Sequence, residues 1–379
     1  MIGGLILAFL LGVDALRRVY SVGRTWNDHF VAAVVLGCMG FYALHWLSAP
    51  VALRPLWGLG ILWIWGLFFA LGDQRGDIAP KWALWAFAWP SQLAYAFALW
   101  GGLTWLIRAP IAWALGADPW WAGPWLLIPA VLAVAGQIQA MRPQPIRHHA
   151  VQGLPARIVQ LSDLHASPVM AQEALDALVD RVNALEPALV CITGDLVMPF
   201  SEARHDYLVR ALARLQAPVV CCPGNHDLPV LARLQEALEA EGIALLADLK
   251  AHRAGFEVVG FTFRWGDAAD EVRLTARDLA GAKESFRVWL AHDPRVGGWL
   301  EPGSCDLLLS GHSHGGQVGL NMFGLRPTLW GLLGHRDQGW WEAGGAPHYV
   351  HAGNWWIGLP PRMGVSGEIA VFEPSDRPG

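Results

Sequence analysis

Four long stretches without Asp, Glu, Lys or Arg fill most of the first 150 residues of this 379-residue chain. They cover residues 29–53, 55–72, 82–107 and 119–141. A helix of about 20 apolar residues crosses the hydrocarbon core of a bilayer. Tryptophan is enriched where such helices meet the headgroups, and 14 of the 22 tryptophans lie in this part. The sequence therefore predicts a multi-span transmembrane region over residues 1–141, with four helices, or five if residues 2–13 span rather than lie at the interface.

The two parts of the chain differ in charge. Residues 1–150 contain nine Lys and Arg, five Asp and no Glu, whereas residues 151–379 contain 18 Lys and Arg and 27 Asp and Glu. The net charges are thus +4 and −9. Loops rich in Lys and Arg are expected in the cytoplasm, and the richer set contains Arg17, Arg18, Arg24, Arg75, Lys81, Arg142 and Arg147. This predicts an integral protein of the inner (plasma) membrane with a cytoplasmic C-terminal part.

Composition and charge exclude several classes of protein. A net charge of −5 is unlike the basic surface of a nucleic-acid-binding protein, so no nucleic-acid partner is expected. Five cysteines are too few and too irregularly spaced for a disulfide scaffold.

Residues 142–155 predict a juxtamembrane linker, whose arginines would contact anionic headgroups and whose His148 and His149 would be solvated.

Residues 156–379 alternate short β-rich runs with amphipathic segments. Residues 171–185 predict a helix, and residues 189–193 and 219–222 predict buried strands. The predicted helix places four apolar side chains on one face: Leu175, Leu178, Val179 and Val182. Such alternation indicates an α/β layered fold, and the closer spacing of later strands predicts a second sheet.

Five polar clusters each follow a predicted strand. They are Asp163-Leu164-His165, Gly194-Asp195, Gly224-Asn225-His226-Asp227, His292, and Gly311-His312-Ser313-His314. In open α/β sheets, ligand sites lie outside the carboxyl ends of the strands, where distant loops converge. Carboxylates, imidazoles and a carboxamide suit hard or borderline divalent cations. Any one cluster is also explained as a helix cap or a turn, but five at strand ends predict a metal site.

These clusters, extended by Gly315-Gly316-Gln317, resemble the calcineurin-like metallophosphoesterase superfamily in order and spacing over roughly residues 157–373. The resemblance implies a two-sheet αββα metallophosphoesterase sandwich over residues 156–379. With the apolar first part, the chain resembles the membrane-anchored branch of that superfamily. The expected fold class is therefore an α-helical transmembrane region followed by an α/β domain.

The resemblance also implies a role for each clustered residue at two divalent metal ions, which Mn, Fe or Zn would fit. One ion would be bound by Asp163, His165, His314 and a bridging Asp195. The second ion would be bound by Asp195, Asn225, His292 and His312. The unligated His226 would face the substrate as the catalytic residue.

A few positions depart from the family pattern or lie outside it. Ser313 stands where Thr is commoner, and Asp293 follows His292 where a neutral residue is expected. Three further polar residues are interpreted without a metal role: His351 and Asn354 as loop residues, and Arg362 as a surface arginine.

The predicted activity is metal-dependent hydrolysis of a phosphoric ester or anhydride. A membrane anchor favours membrane lipids as partners and a phosphorylated, lipid-linked substrate, with UDP-2,3-diacylglucosamine as one candidate and phospholipids or an undecaprenyl-type carrier as others. One alternative is a hydrolase of a soluble nucleotide or phosphodiester signal coupled to a membrane sensor region. That alternative requires functional charges within the membrane, whereas the stretches contain no charged residue and only mild polar interruptions, such as His45 and Gln92. A non-catalytic scaffold is disfavoured by the complete set of ligand positions.

Overall fold

The computed structural model describes the following residues: 38, 41–42, 59–60, 89–117, 123–140, 142–166, 172–198, 206–281, 283, 285–319, 326–355 and 362–376. The chain divides into two compact units, residues 1–142 with 358–363, and residues 143–357 with 364–379. Most of the predicted spans at 29–53 and 55–72, and the segment 2–13, lie outside the described residues.

Two helices account for most of the described part of the first unit. Helix α1 covers Trp89–Ala114, and helix α2 covers Leu127–Ala140 after a short 3-10 helix at Gly123–Leu126. They correspond to the predicted stretches 82–107 and 119–141. None of the helices that the structure describes has the combined length and hydropathy required for a membrane span.

The described residues of the second unit form twelve strands in two six-stranded sheets. The first sheet has the order β1-β12-β2-β3-β4-β5. Its strands are β1 Ile146–Gln152, β2 Ile158–Leu161, β3 Leu189–Thr193, β4 Val219–Cys222, β5 Ala244–Leu245 and β12 Ile369–Ser375. The second sheet has the order β10-β11-β9-β8-β7-β6. Its strands are β6 Leu249–Arg253, β7 Phe256–Phe261, β8 Phe286–Ala291, β9 Leu307–Ser310, β10 Gly339–Ala343 and β11 Ala346–Val350.

The two sheets enclose an apolar core. Side chains of both sheets form one buried cluster, with Cys191 and Val220 of the first sheet and Val258, Leu290 and Leu309 of the second. Because side chains alternate across a strand, strands covered on both faces are apolar throughout; all residues of β2, β3, β4 and β9 are buried. The two mixed sheets confirm the predicted α/β sandwich.

Helices connect the strands and cover the sheets. They are α3 Gln172–Asn183, α4 Asp206–Leu212, α5 Leu231–Ala240, α6 Ala269–Ala280 and α7 Leu329–Leu332. Helix α3 buries the four side chains that the apolar periodicity predicts, which confirms that helix. Val272 and Ala276 of α6 join a second cluster with Trp289 and Leu308.

The linker prediction for residues 142–155 is wrong over Ile146–Gln152. These residues form β1, which runs parallel to β12 in continuous register from Ile146↔Ile369 to Gln152↔Ser375. The His149 ring is partly buried and lies 4.6 Å from the Tyr349 ring and 5.6 Å from the Phe372 ring. Only every second residue of an edge strand of this kind faces the core, so the apolar pattern in the sequence was too weak to identify it.

Candidate metal centre

The five polar clusters lie at one edge of the sandwich because of strand direction. Strands β2, β3 and β4 are mutually parallel, as are β8 and β9. The loop after β2 carries Asp163 and His165, that after β3 carries Asp195, and that after β4 carries Asn225 and His226. The ends of β8 and β9 carry His292, His312 and His314.

The first group of side chains that could hold a cation is formed by Asp163, His165, Asp195 and His314, all buried, with potential ligand atoms within 4.8 Å of one another. The Nε2 atom of His314 lies 3.1 Å from Asp163 Oδ1. The Nε2 atom of His165 lies 3.9 Å from the same oxygen and 3.7 Å from Asp195 Oδ2. Two carboxylates and two imidazoles therefore surround one point.

The second group is formed by Asp195, His292 and His312. His292 Nε2 lies 3.1 Å from Asp195 Oδ2 and 3.2 Å from His312 Nδ1. Asp195 belongs to both groups, so a single carboxylate stands between two possible cation positions. The structure thus brings together six of the seven residues predicted as ligands.

His226 contacts the same carboxylate, and Asn225 precedes it in the loop after β4. The main-chain N–H of His226 donates a hydrogen bond to Asp195 Oδ1 (3.0 Å), and its Nε2 lies 3.9 Å from Asp195 Oδ2. The ring of His226 lies 5.0 Å from that of His165. Asn225 Oδ1 is enclosed, and no described residue donates a hydrogen bond to it.

The donor set fits a pair of divalent cations. Within the described residues, the enclosed Asp163 Oδ1 and Asn225 Oδ1 accept no hydrogen bond, although buried polar atoms rarely go without a partner. Five of the seven predicted ligands also have a left-handed backbone, with φ between 43° and 71°: Asp163, His165, Asp195, His312 and His314. Such strain is concentrated at functional sites, where it aims side chains.

Two glycines allow the loops to approach one another. Gly194 has φ +80°, and a Cβ atom there would lie 2.6 Å from His292 Nδ1. A Cβ atom on Gly224 would lie 2.1 Å from Asp195 Oδ1. The Gly-Asp and Gly-Asn-His-Asp clusters therefore contain glycine because the next loop occupies the space of a side chain.

Main-chain carbonyls fix the orientation of two histidines. His292 Nδ1 lies 2.7 Å from Thr193 O, and His314 Nδ1 lies 3.1 Å from Trp355 O. A carbonyl oxygen only accepts, so each Nδ1 carries a proton and each Nε2 is directed into the site. Partners of this kind orient metal-binding histidines in proteins generally.

Burial and the two carboxylates set the protonation of the site. Burial raises the pKa of Asp163 and Asp195, but the neighbouring imidazoles outweigh it and hold both pKa values below their usual range. Burial lowers the pKa of His292, yet the Asp195 carboxylate outweighs burial and raises it to about 10. Burial, followed by His292, lowers the pKa of His312 to about 4. Strong coupling of this kind is typical of functional sites.

Supporting residues were not predicted from the sequence. Asn354, interpreted above as a loop residue, is buried; its Oδ1 accepts from Ser162 N (2.8 Å) and its Nδ2 donates to Glu368 O (2.7 Å). Asp227 accepts from Gly224 N (2.8 Å) and Val197 N (3.1 Å). Apart from Gly224, which lies in the same turn as Asp227, their partners come from other parts of the chain, so spacing in the sequence carries little signal for these roles.

The structure also shows the surroundings of three other positions that the sequence singled out. Asp293 pairs with Arg295 at 2.6 Å, which balances the charge that departs from the family pattern. The Ser313 hydroxyl donates to Asp337 O. The interpretation of Arg362 as a surface residue is wrong, because its exposed fraction is 2%.

Comparison with known proteins agrees with this geometry. Residues 156–316 match the family described as calcineurin-like phosphoesterase, so this part of the chain is similar to a calcineurin-like metallophosphoesterase domain. Calcineurin-like phosphoesterases are metal-dependent hydrolases of phosphoesters that use two divalent metals, and the two groups of Asp and His are the side chains that could hold them.

Several curated proteins are similar to this chain. The uncharacterized metallophosphoesterase YkuE of Bacillus subtilis is 28% identical over 57% of this chain and 78% of its own length. Phosphodiesterase YaeI of Escherichia coli is 28% identical over 45% of this chain and 64% of its own. A transmembrane protein with metallophosphoesterase domain of Danio rerio is 28% identical over 64% of this chain and 60% of its own. The chain thus spans less than two thirds of the latter two relatives.

Proposed function

We propose that this chain is a membrane-anchored, dinuclear-metal-dependent phosphoesterase that hydrolyses a phosphodiester or pyrophosphate bond of a lipid-linked substrate. The observation that carries the proposal is the position of Asp195 in both groups of candidate ligands. Two divalent ions held by these residues would neutralise the charge of a phosphate and supply a nucleophilic water. Asp163, His165, Asp195 and His314 would hold one ion, and Asp195, Asn225, His292 and His312 the other.

We assign the catalytic role in this site to His226. It is mostly buried, and burial lowers the pKa of its ring, so the imidazole is neutral near pH 7. No described residue is hydrogen-bonded to its Nδ1, and its main-chain N–H is fixed by Asp195 Oδ1. A histidine so held orients the phosphate and stabilises the developing charge on the leaving oxygen, a contribution typically worth about 10²–10⁴ in rate.

Membrane anchoring is supported by the sequence of residues 1–141. The four uncharged stretches are long enough to span, and one relative bears the name of a transmembrane protein with metallophosphoesterase domain. The loop charges favour the plasma membrane with the phosphoesterase domain in the cytoplasm. A tethered domain meets substrates at the bilayer surface at high effective concentration, which favours lipid-linked phosphates, UDP-2,3-diacylglucosamine among them.

Purified full-length protein loaded with Mn²⁺ and incubated with a total membrane lipid extract tests this function. Mass spectrometry should detect a released phosphorylated headgroup with wild type and none with Asp195→Asn. Asp293→Asn, which changes a neighbouring carboxylate outside both groups, is the matched control and should keep activity. Hydrolysis of soluble bis-p-nitrophenyl phosphate but of no lipid would contradict the substrate class. Undiminished activity after exhaustive chelation would contradict the metal chemistry.

A further inference from the structure

The second unit receives the polypeptide at the edge that carries the metal centre. Strand β1 begins at Ile146, opposite Ile369 of β12. Because β12 is antiparallel to β2 and pairs Ala370 with Gln160, the first residue of β1 lies beside the carboxyl end of β2, from which the Asp163 loop emerges. The entry point of the chain and the centre therefore share one end of the sandwich, called here the catalytic end.

Hydrogen bonds attach the entry segment to the centre. Gln144 Nε2 donates to Asn354 O (3.3 Å), and Asn354 Oδ1 accepts from Ser162 N (2.8 Å). The next residue, Trp355, donates its main-chain N–H to Asp163 O (3.2 Å). Only residues 143–145 separate Arg142 from β1, and three extended residues span about 10 Å. The entry segment is therefore part of the catalytic end.

Exposed apolar side chains lie at the same end on two sides of the centre. On one side, Trp265 is 54% exposed, and its ring lies 4.9 Å from that of Phe263. The Phe263 ring lies 5.3 Å from that of His312 and 5.9 Å from that of His292.

On the other side, the segment around α7 follows the His314 turn. A Cβ atom on Gly316 would lie 3.2 Å from Trp330 Cβ. Trp330, Leu332 and Leu333 are 47%, 77% and 64% exposed. Residues 329–334 carry no charge, and exposed leucines in such a cluster are uncommon unless another apolar phase covers them.

We propose that Trp265, Trp330, Leu332 and Leu333 form a lipid-contact surface, which seats the catalytic end on the headgroup layer of the membrane that anchors the chain. The inference rests on the anchoring in the proposed function and adds which surface faces the bilayer. Tryptophan is suited to the interface and leucine to the acyl region beneath it. The metal centre between the two sides would open at the depth of the headgroups, so its substrates would carry their phosphate there.

The sequence and the position of the exposed residues favour a bilayer over a protein partner as the occupant. Residues 1–141 carry the uncharged stretches predicted to span a membrane, and exposed apolar residues lie at the end of the second unit where β1 begins. They come from two separate segments, one beside His312 and one beside the turn after His314, and a planar phase contacts two such segments together more readily than a single peptide does.

Spin labels on the full-length protein test the surface. The protein is reconstituted in vesicles of phosphatidylethanolamine and phosphatidylglycerol at 7:3, with a label at Leu332→Cys. Two further labels serve as controls. Ala254→Cys lies in the exposed turn between β6 and β7, at the end opposite the metal centre. Leu274→Cys replaces an exposed leucine on α6 and so matches Leu332 in residue type. The described cysteines are all buried, so the unsubstituted chain gives the background.

Accessibility to oxygen and to a water-soluble nickel chelate gives the outcome. At each site we compare the ratio of the collision rate with oxygen to the collision rate with the nickel chelate. We expect this ratio to be at least about threefold higher for the Leu332 label than for the labels at the two control sites. A ratio equal to the controls overturns the lipid-contact surface, and low accessibility to both reagents overturns it in favour of protein, including a second copy. If the protein fails to float with the vesicles, the anchoring itself is wrong. Leu333→Cys repeats the test should Leu332→Cys not fold.

Discussion

The Nε2 atoms of His165 and His314 lie 3.0 Å apart, and the two rings are stacked at an interplanar angle of 15°. The carbonyl of Trp355 holds the proton of His314 on Nδ1, so the Nε2 lone pair of His314 points at its neighbour. Burial lowers the pKa of His165 well below its usual value, which disfavours an imidazolium that would bridge the pair. The two nitrogens and the Asp163 carboxylate would together hold a divalent cation at this point.

Metal removal should lower the stability of the domain. The carboxylates of Asp163 and Asp195 are buried beside each other, and divalent ions that bind only the folded state stabilise it by about 2.7 kcal/mol at 100 times the dissociation constant. We expect EDTA to lower the midpoint of thermal unfolding by about 5–10 °C and Mn²⁺ to restore it. Scanning fluorimetry measures the shift. A midpoint that EDTA leaves unchanged would count against bound metal, and Asp195→Asn should show no response to either addition.

Replacement of His226 should separate catalysis from metal binding. We expect His226→Ala to lower kcat for bis-p-nitrophenyl phosphate by about 10²–10⁴ and to keep both metals, because its ring is not in either group of candidate ligands. Metal content by elemental analysis and steady-state kinetics give the two readouts. His252→Ala, at an exposed position on β6, is the matched control. Loss of metal together with activity would instead make His226 a ligand.

Gly224 should tolerate no side chain. A Cβ atom there would lie 2.1 Å from Asp195 Oδ1, so Gly224→Ala displaces the carboxylate common to both groups, and a shift of about 1 Å in a catalytic group costs about 100-fold in rate. We expect a loss of that size in kcat/KM. Gly298→Ala is the control, since its Cβ atom would lie 4.0 Å from the nearest neighbouring atom, Arg336 Nη2. Equal activity of the two variants would refute the packing argument.

His348 should make the fold sensitive to mild acid. It is buried in β11, with Nε2 2.9 Å from Ser310 Oγ and Nδ1 3.5 Å from Arg336 Nη1. Burial and then Arg336 lower its pKa to about 3, against about 6.5 unfolded. Between these values the unfolded chain binds the proton and the folded chain does not. The contribution of His348 to the free energy of unfolding is therefore fully present above pH 6.5, and it is lost as the pH decreases below that value.

A urea titration isolates the contribution of His348. Between pH 7.5 and 5.5 the free energy of unfolding of wild type should fall by about 1.3 kcal/mol more than that of His348→Asn. The Asn amide can still donate a hydrogen bond to Ser310, so the comparison isolates the titration. Parallel pH dependences for the two proteins would show that His348 keeps an ordinary pKa when folded.

The composition of the candidate site was predictable from local sequence. Strands β3 and β4 were predicted with their observed bounds, because buried strands are short apolar runs that end in Gly, Asp or Asn. The polar residue after each run follows from chain order alone. Strand β1 was missed because its burial alternates weakly.

The sequence by itself determined which residue types stand at the ends of the strands, since apolar runs and the turns that end them are local features. The family resemblance already implied that Asp195 is common to both groups, as the structure shows. Only the tertiary structure decided that main-chain carbonyls of Thr193 and Trp355 orient His292 and His314, and that Asn354 supports the Asp163 loop. These relationships join residues up to about 190 positions apart. They depend on strand register and sheet packing, which no local pattern encodes.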